Sequence, residues 1–185
     1  MFIQTEQTPN PSTLKFLPGR VVMDKGTLDF ADVTVAGASP LARRLFAIDG
    51  VERVFFGSDF VTVTKAGDRD WQEMKPSILG GIMEHFTSGE AVVTAGEAGA
   101  EGAVAATEDD EVVAQIKELL DTRVRPAVAQ DGGDIVFQDF RDGVVYLHMQ
   151  GSCSGCPSST ATLKMGIENL LKHYVPEVVE VQAAQ

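Results

Sequence analysis

The hydrophobic and polar positions of this chain form two patterned blocks separated by a stretch with no pattern. In the first block, Phe2 to Phe16 alternates weakly and is interrupted by Thr8-Pro9-Asn10-Pro11, where the prolines forbid a regular ladder or helix. This predicts a strand, a turn and a second strand over Thr13 to Leu17, with Pro18-Gly19 as the next turn. Ser39 ahead of Pro40, with Leu41, Leu45 and Phe46 at helical spacing, predicts a short helix over 40–46 that ends near Asp49-Gly50. Val51 to Phe56 and Phe60 to Thr64 are rich in β-branched and aromatic residues, and Gly57-Ser58-Asp59 joins them as a hairpin. Trp71, Met74, Ile78, Ile82 and Phe86 then recur at intervals of three and four, which places a core-packing stripe on one face of a longer helix. Pro76 and Gly80-Gly81 oppose that helix, because each lowers helix stability at an interior position.

The second block opens with Thr107 and Asp110 in a capping-box arrangement, and Val112, Ile116, Leu119, Leu120 and Val124 form the buried stripe of a helix running to about Gln130. Asp131-Gly132-Gly133-Asp134 ends it, with the aspartates read as turn and cap residues. Ile135 to Phe140 and Val144 to Met149 are strands joined through Arg141-Asp142-Gly143. Leu163, Ile167, Leu170, Leu171 and Tyr174 mark an apolar helical face between Pro157 and Tyr174, Val175-Pro176 stops it, and Val178 to Val181 reads as a last short strand. Between the blocks, glycines at 96, 99 and 102 alternate with Ala and Glu, too little apolar surface for a core. The expected fold class is α+β: two small two-layer α/β domains, 1–88 and 108–185, joined by a flexible acidic linker over 89–107. The order of the second domain is α-β-β-α-β.

A length of 185 residues suits two such domains, and 44% hydrophobic with 23% charged residues is the composition of a chain with a packed core. No apolar stretch approaches the roughly 18 residues of a membrane span, and the first residues carry neither a basic signal-peptide start nor an Arg-rich transit segment. The expectation is a soluble protein of the bacterial cytoplasm, or of the mitochondrial matrix if an organellar presequence is missing. A formal charge of −12 excludes a general nucleic-acid binder, since phosphate neutralisation needs clustered Lys and Arg. Between Lys75 and Lys117 there is no Lys or Arg but there are eight acids, so the charge concentrates on the linker and its flanks, as befits a solvated spacer.

The chemistry concentrates in Gly151-Ser152-Cys153-Ser154-Gly155-Cys156-Pro157, which holds both cysteines of the chain. A strand leads in and a helix leads out, and a helix N-terminus favours the thiolate form that binds metal or attacks disulfides. The low-bulk Gly and Ser residues let the backbone curl around whatever the sulfurs hold and point N–H groups at it. The loop is therefore expected to keep both sulfurs ionised. Two cysteines with no others do not make a secreted disulfide framework, so a reducing compartment is expected. Three readings compete for Cys153 and Cys156: ordinary buried thiols, dithiol–disulfide exchange, and metal binding. Exchange in a thioredoxin-like setting needs a larger βαβ framework ahead of the motif, and here a hairpin precedes it. Metal sites of the zinc or iron–sulfur type want four ligands, and one chain offers two sulfurs. His148 is a candidate third ligand, though its place in an alternating strand suits a surface residue. His85 and His173 lie in helical patterns with no partner motif. Two copies related by a two-fold axis would supply four thiolates around one exposed cluster.

The second block resembles the NifU C-terminal-like domain of the Nfu iron–sulfur carriers through Arg125-Pro126, Asp131-Gly132-Gly133-Asp134 and Cys153-Ser154-Gly155-Cys156-Pro157-Ser158-Ser159, in that order. The first block is similar to the Nfu N-terminal domain through Thr8-Pro9-Asn10-Pro11-Ser12, Gly50-Val51, Val54-Phe55-Phe56-Gly57, Lys75-Pro76 and Ile78-Leu79. The resemblance implies a non-enzymatic iron–sulfur assembly and transfer protein. In it Cys153 and Cys156 from each of two subunits hold a 4Fe–4S cluster, with 2Fe–2S as the alternative. It further implies a homodimer when cluster-bound, upstream cluster-assembly proteins as donors and apo iron–sulfur proteins as acceptors, with no nucleic-acid or membrane partner. A thiol–disulfide oxidoreductase using the same cysteines and a zinc-stabilised interaction module are the alternatives.

Overall fold

The computed structural model describes residues 2–94, 110–154 and 157–184. The chain divides into two compact units, Met1–Glu101 and Gly102–Gln185, each with its own core. Most of the expected linker, with Thr107 of the expected capping box, lies outside the described residues.

Unit 1 is a five-stranded antiparallel sheet with two helices. Its strands are β1 (Gln4–Gln7), β2 (Thr13–Leu17), β3 (Leu28–Phe30), β4 (Val51–Phe56) and β5 (Val61–Lys65), in the order β1-β2-β5-β4-β3. Alternation puts Leu14, Phe16, Val54, Phe56, Val61 and Val63 on one face, and register aligns them: Leu14 and Val54 both pair with Val63, Phe16 and Phe56 both with Val61. Helices α1 (Pro40–Phe46) and α2 (Trp71–Ser88) contribute Leu41, Leu45, Met74, Ile78 and Ile82 to the same core. Ser39 caps α1, its Oγ accepting the Ala42 N–H at 3.0 Å. Pro76 does not break α2, because it and Gln72, whose carbonyl loses its helical donor, both lie on the solvent face where water can replace the bond. The chain forms two elements in unit 1 that the pattern does not predict. Strand β3 has three residues, too few for alternation to register. The 3-10 turn Val33–Ala38 starts at Asp32, whose Oδ1 accepts the Thr34 N–H at 2.7 Å.

His85 stands in the α2 stripe between Ile82 and Phe86, fully buried, and neither ring nitrogen has a hydrogen-bond partner among the described residues. The Glu90 carboxylate is 3.9 Å from Nδ1 and is itself engaged by Arg44 at 3.2 Å. Burial holds His85 below the ordinary histidine range, the Arg44 charge adds to this, and Glu90 opposes it. The folded ring therefore stays neutral while the unfolded chain takes up a proton below about pH 6.5, so unit 1 loses stability as pH falls through that region. Replacing an unpaired buried imidazole by leucine should stabilise unit 1 by about 1–3 kcal/mol at pH 7.5, and by more at pH 5. Trp71, the sole tryptophan and a residue packed against this core, reports the transition in urea titrations at the two pH values.

Unit 2 follows the order α-β-β-α-β, with its first helix interrupted. Helices α3 (Asp110–Leu119) and α4 (Arg125–Gln130) flank a π turn at Leu120–Val124, where the Arg125 N–H reaches back five residues to the Leu120 carbonyl. Pro126 explains the widening: it has no N–H to give Thr122, and its ring would collide with that carbonyl in a regular helix. Strands β6 (Gly133–Arg141) and β7 (Val144–Gly151) form an antiparallel hairpin. Helix α5 (Pro157–Tyr174) then carries the chain to β8 (Glu180–Ala183), which lies parallel to β7. The last strand starts two residues later than Val178 because Val175 and Val178 are buried as anchors of the preceding turn. Along β7, Val145, Leu147 and Met149 point into a core completed by Ile116, Leu120, Val128, Ile167 and Leu171, with Cys153 packed against them.

Candidate metal centre

Strand β7 delivers Cys153 to the end of the sheet, and β6 supplies the surface it rests on. Gly132 and Gly151 both have φ in the left-handed region, at 79° and 64°, so the turn after α4 and the entry to the cysteine loop each use glycine for its backbone freedom. Gly133 needs glycine for space: a Cβ there would lie 2.6 Å from Cys153 Sγ and 2.8 Å from the Gln150 carbonyl oxygen. The sulfur is thus seated directly on the backbone of the neighbouring strand. The Ser152 N–H donates to Gly132 O at 3.2 Å and its hydroxyl donates to Asp131 O. From the first turns of α5, Thr160 Oγ1 donates to Cys153 O at 3.2 Å.

Gly133→Ala should cost unit 2 about 1–3 kcal/mol, since the added methyl must displace either the sulfur or a backbone carbonyl. Urea unfolding followed by far-UV circular dichroism, with amide exchange along β6 and β7, measures this.

Asp134 plays a part that the sequence reading did not assign. It is not a cap but the second residue of β6, 3% exposed, and Arg125 grips it with two parallel bonds, Nε to Oδ1 at 2.9 Å and Nη2 to Oδ2 at 2.8 Å. Arg125 also donates from Nη1 to Asp121 Oδ1 at 3.0 Å, and these partners raise its already high pKa. Asp131 is the residue at the end of α4, in agreement with its reading as a turn and cap residue.

The electrostatics of Cys153 differ from expectation. The side chain is 6% exposed, and burial pushes the thiol up to about 11, with the adjacent Ser152 side chain opposing the rise and the Asp131 and Asp134 charges adding to it. In this conformation burial favours the protonated form of the thiol. The loop N–H groups of Ser152 and Ser154 are spent on Gly132 O and Gly151 O and do not point at the sulfur. Cys156 lies outside the described residues. His148 sits on the face of β7 opposite the one bearing Val145, Leu147 and Met149, so it is not brought to Cys153, and among the described residues no three His, Cys, Asp or Glu side chains form a metal-binding group. With Asp134 committed to Arg125, sulfur is the donor type this site offers, and thiolate suits iron–sulfur or zinc.

A small α+β unit whose hairpin runs into a glycine-flanked C-x-x-C loop is the class of the NifU-like domain, and residues 116–182 match the family model of that description. Residues 3–89 match the model described as scaffold protein Nfu/NifU N terminal. The chain is 55% identical over 187 residues to the human "NFU1 iron-sulfur cluster scaffold homolog, mitochondrial", covering 98% of this chain and 71% of that protein. It is 56% identical over 185 residues to "NifU-like protein 4, mitochondrial" of Arabidopsis thaliana, covering 98% and 65% respectively. The chain belongs to the Nfu family of scaffold proteins. It spans about two thirds of the length of these curated relatives. The solution structure of a NifU-like protein from Saccharomyces cerevisiae is 27% identical with a TM-score of 0.47, covering 52% of this chain and 87% of that one. The relatives correct one expectation: they are named mitochondrial, which supports a mitochondrial setting over a bacterial cytoplasmic one.

Proposed function

We propose that this protein takes part in iron–sulfur cluster assembly as a carrier: it holds a 4Fe–4S cluster between two copies, through Cys153 and Cys156 of each, and hands it to apo-proteins. Its relatives are named iron–sulfur cluster scaffolds, and that supports the assembly role. The observation that carries the finer reading is the ligand deficit: one C-x-x-C pair in the matched NifU-like domain, with no other three-ligand group among the described residues. Half a ligand shell per chain makes a cluster that a symmetric pair can share and release, since exchange needs an acceptor thiolate to replace one carrier thiolate at a time. The scaffold role is one of holding and handing on, without covalent change to a substrate.

The cluster is cargo, and its loading asks two things of this chain. The Cys153 sulfur must turn out of the core, and it must lose the proton that burial favours.

The test is transfer in the presence of a strong iron chelator. Loaded protein mixed with an apo 4Fe–4S acceptor should restore the acceptor's absorbance and activity at a rate the chelator leaves unchanged. Restoration abolished by chelator would mean that the iron passes through solution and that the protein is not a carrier.

A further inference from the structure

Cys153 faces the core, and the residue before it holds it there. Ser152 is 2% exposed and binds the turn after α4 twice, through its N–H to Gly132 O and its hydroxyl to Asp131 O. The Cys153 sulfur lies against Gly133, the next residue and the first of β6. A metal ligand must face its metal, so this contact has to open before Cys153 can serve as one. The two bonds differ in what their release leaves behind. Asp131 is exposed, so water can take the place of the hydroxyl, whereas Gly132 and Gly133 are buried. The hydroxyl bond is therefore the one that can yield without unfolding the unit.

We propose that Ser152 is a positioning residue: its hydroxyl clamps the cysteine loop to the Asp131 carbonyl with the Cys153 sulfur turned inward, and release of that clamp presents Cys153 to an incoming cluster. The clamp stands on the geometry alone, and its role in loading rests on the carrier reading above.

The experiment compares the metal-free full chain with its Ser152→Ala variant. Each is treated with iodoacetamide over a series of pH values, so that a change in thiolate fraction is separated from a change in access, and modification of Cys153 is followed by peptide mapping. Cys153 should react about five- to tenfold faster in the variant, the ratio corresponding to one ordinary hydrogen bond. The faster rate should stay flat across sub-denaturing urea, because a local opening exposes little new surface. A hydroxyl that merely supports the fold would act through global unfolding, and the rate would then climb steeply with urea. Equal rates in the two proteins, or an increase that tracks urea, overturns the clamp. Iron and sulfide uptake by the same two proteins separates the two ideas. If neither takes up a cluster, the carrier reading fails while the alkylation result still decides the clamp. If both do, with equal alkylation rates, the clamp fails and the carrier reading stands.

Discussion

Replacing Arg125 by methionine should cost unit 2 about 2–3 kcal/mol, the largest stability effect expected of any single polar side chain in it. The carboxylate of Asp134 is nearly buried; the Arg125 fork donates to its two oxygens at 2.8 and 2.9 Å, and the Ile135 N–H donates to it at 2.8 Å. Methionine preserves the aliphatic packing but takes two charge-assisted hydrogen bonds away from a negative charge in low dielectric. Removing one partner of a fully buried pair commonly costs about 3–5 kcal/mol; Arg125 retains about a third of its side-chain exposure, so solvent screening reduces the figure. Arg125→Lys, a point charge without the fork, should lose about half as much. Equilibrium unfolding by far-UV circular dichroism, with amide exchange at Ile135 and its neighbours, measures both. A loss below about 0.5 kcal/mol for methionine, the range of an exposed pair, would show that the pair does not hold the turn beneath Cys153.

Either Cys153→Ser or Cys156→Ser should reduce cluster content to near zero while the apo-protein keeps its fold. With one thiolate missing from each copy, a symmetric pair offers two sulfurs where a 4Fe–4S cluster takes four, and a serine oxygen is a poor replacement for a soft donor. The loss should appear in the visible absorbance of anaerobically reconstituted protein. Full cluster content in both single variants would remove these residues from the ligand set.

Much of this architecture was legible in the pattern. The α2 stripe survives Pro76 because the proline falls on the solvent face, and β7 alternates so regularly that its core face can be read directly from Val145, Leu147 and Met149. The C-x-x-C motif stands out in the sequence as the candidate site through its spacing and glycine content alone. What escaped reading was set by tertiary contact. His85 has the spacing of a stripe residue, but the polarity of its ring hid a fully buried position. The pairing of Arg125 with Asp134 crosses a helix end and a turn, and its geometry depends on a π turn that only Pro126 hints at. The inward placement of Cys153 depends on Gly133, which in the sequence looks like one more turn glycine and in the fold is the floor under the sulfur. For that reason a loop that reads as a thiolate cradle folds with Cys153 buried, where the protonated thiol is favoured.

The shared cluster is tested most directly by iron and acid-labile sulfide content, measured on anaerobically reconstituted protein together with its native mass. Four irons and four sulfides per two chains, in a species of twice the chain mass that returns to monomer when the cluster is removed, is the result expected if Cys153 and Cys156 of two copies share one cluster. A cluster-bearing monomer, or a dimer that persists without iron, would contradict it.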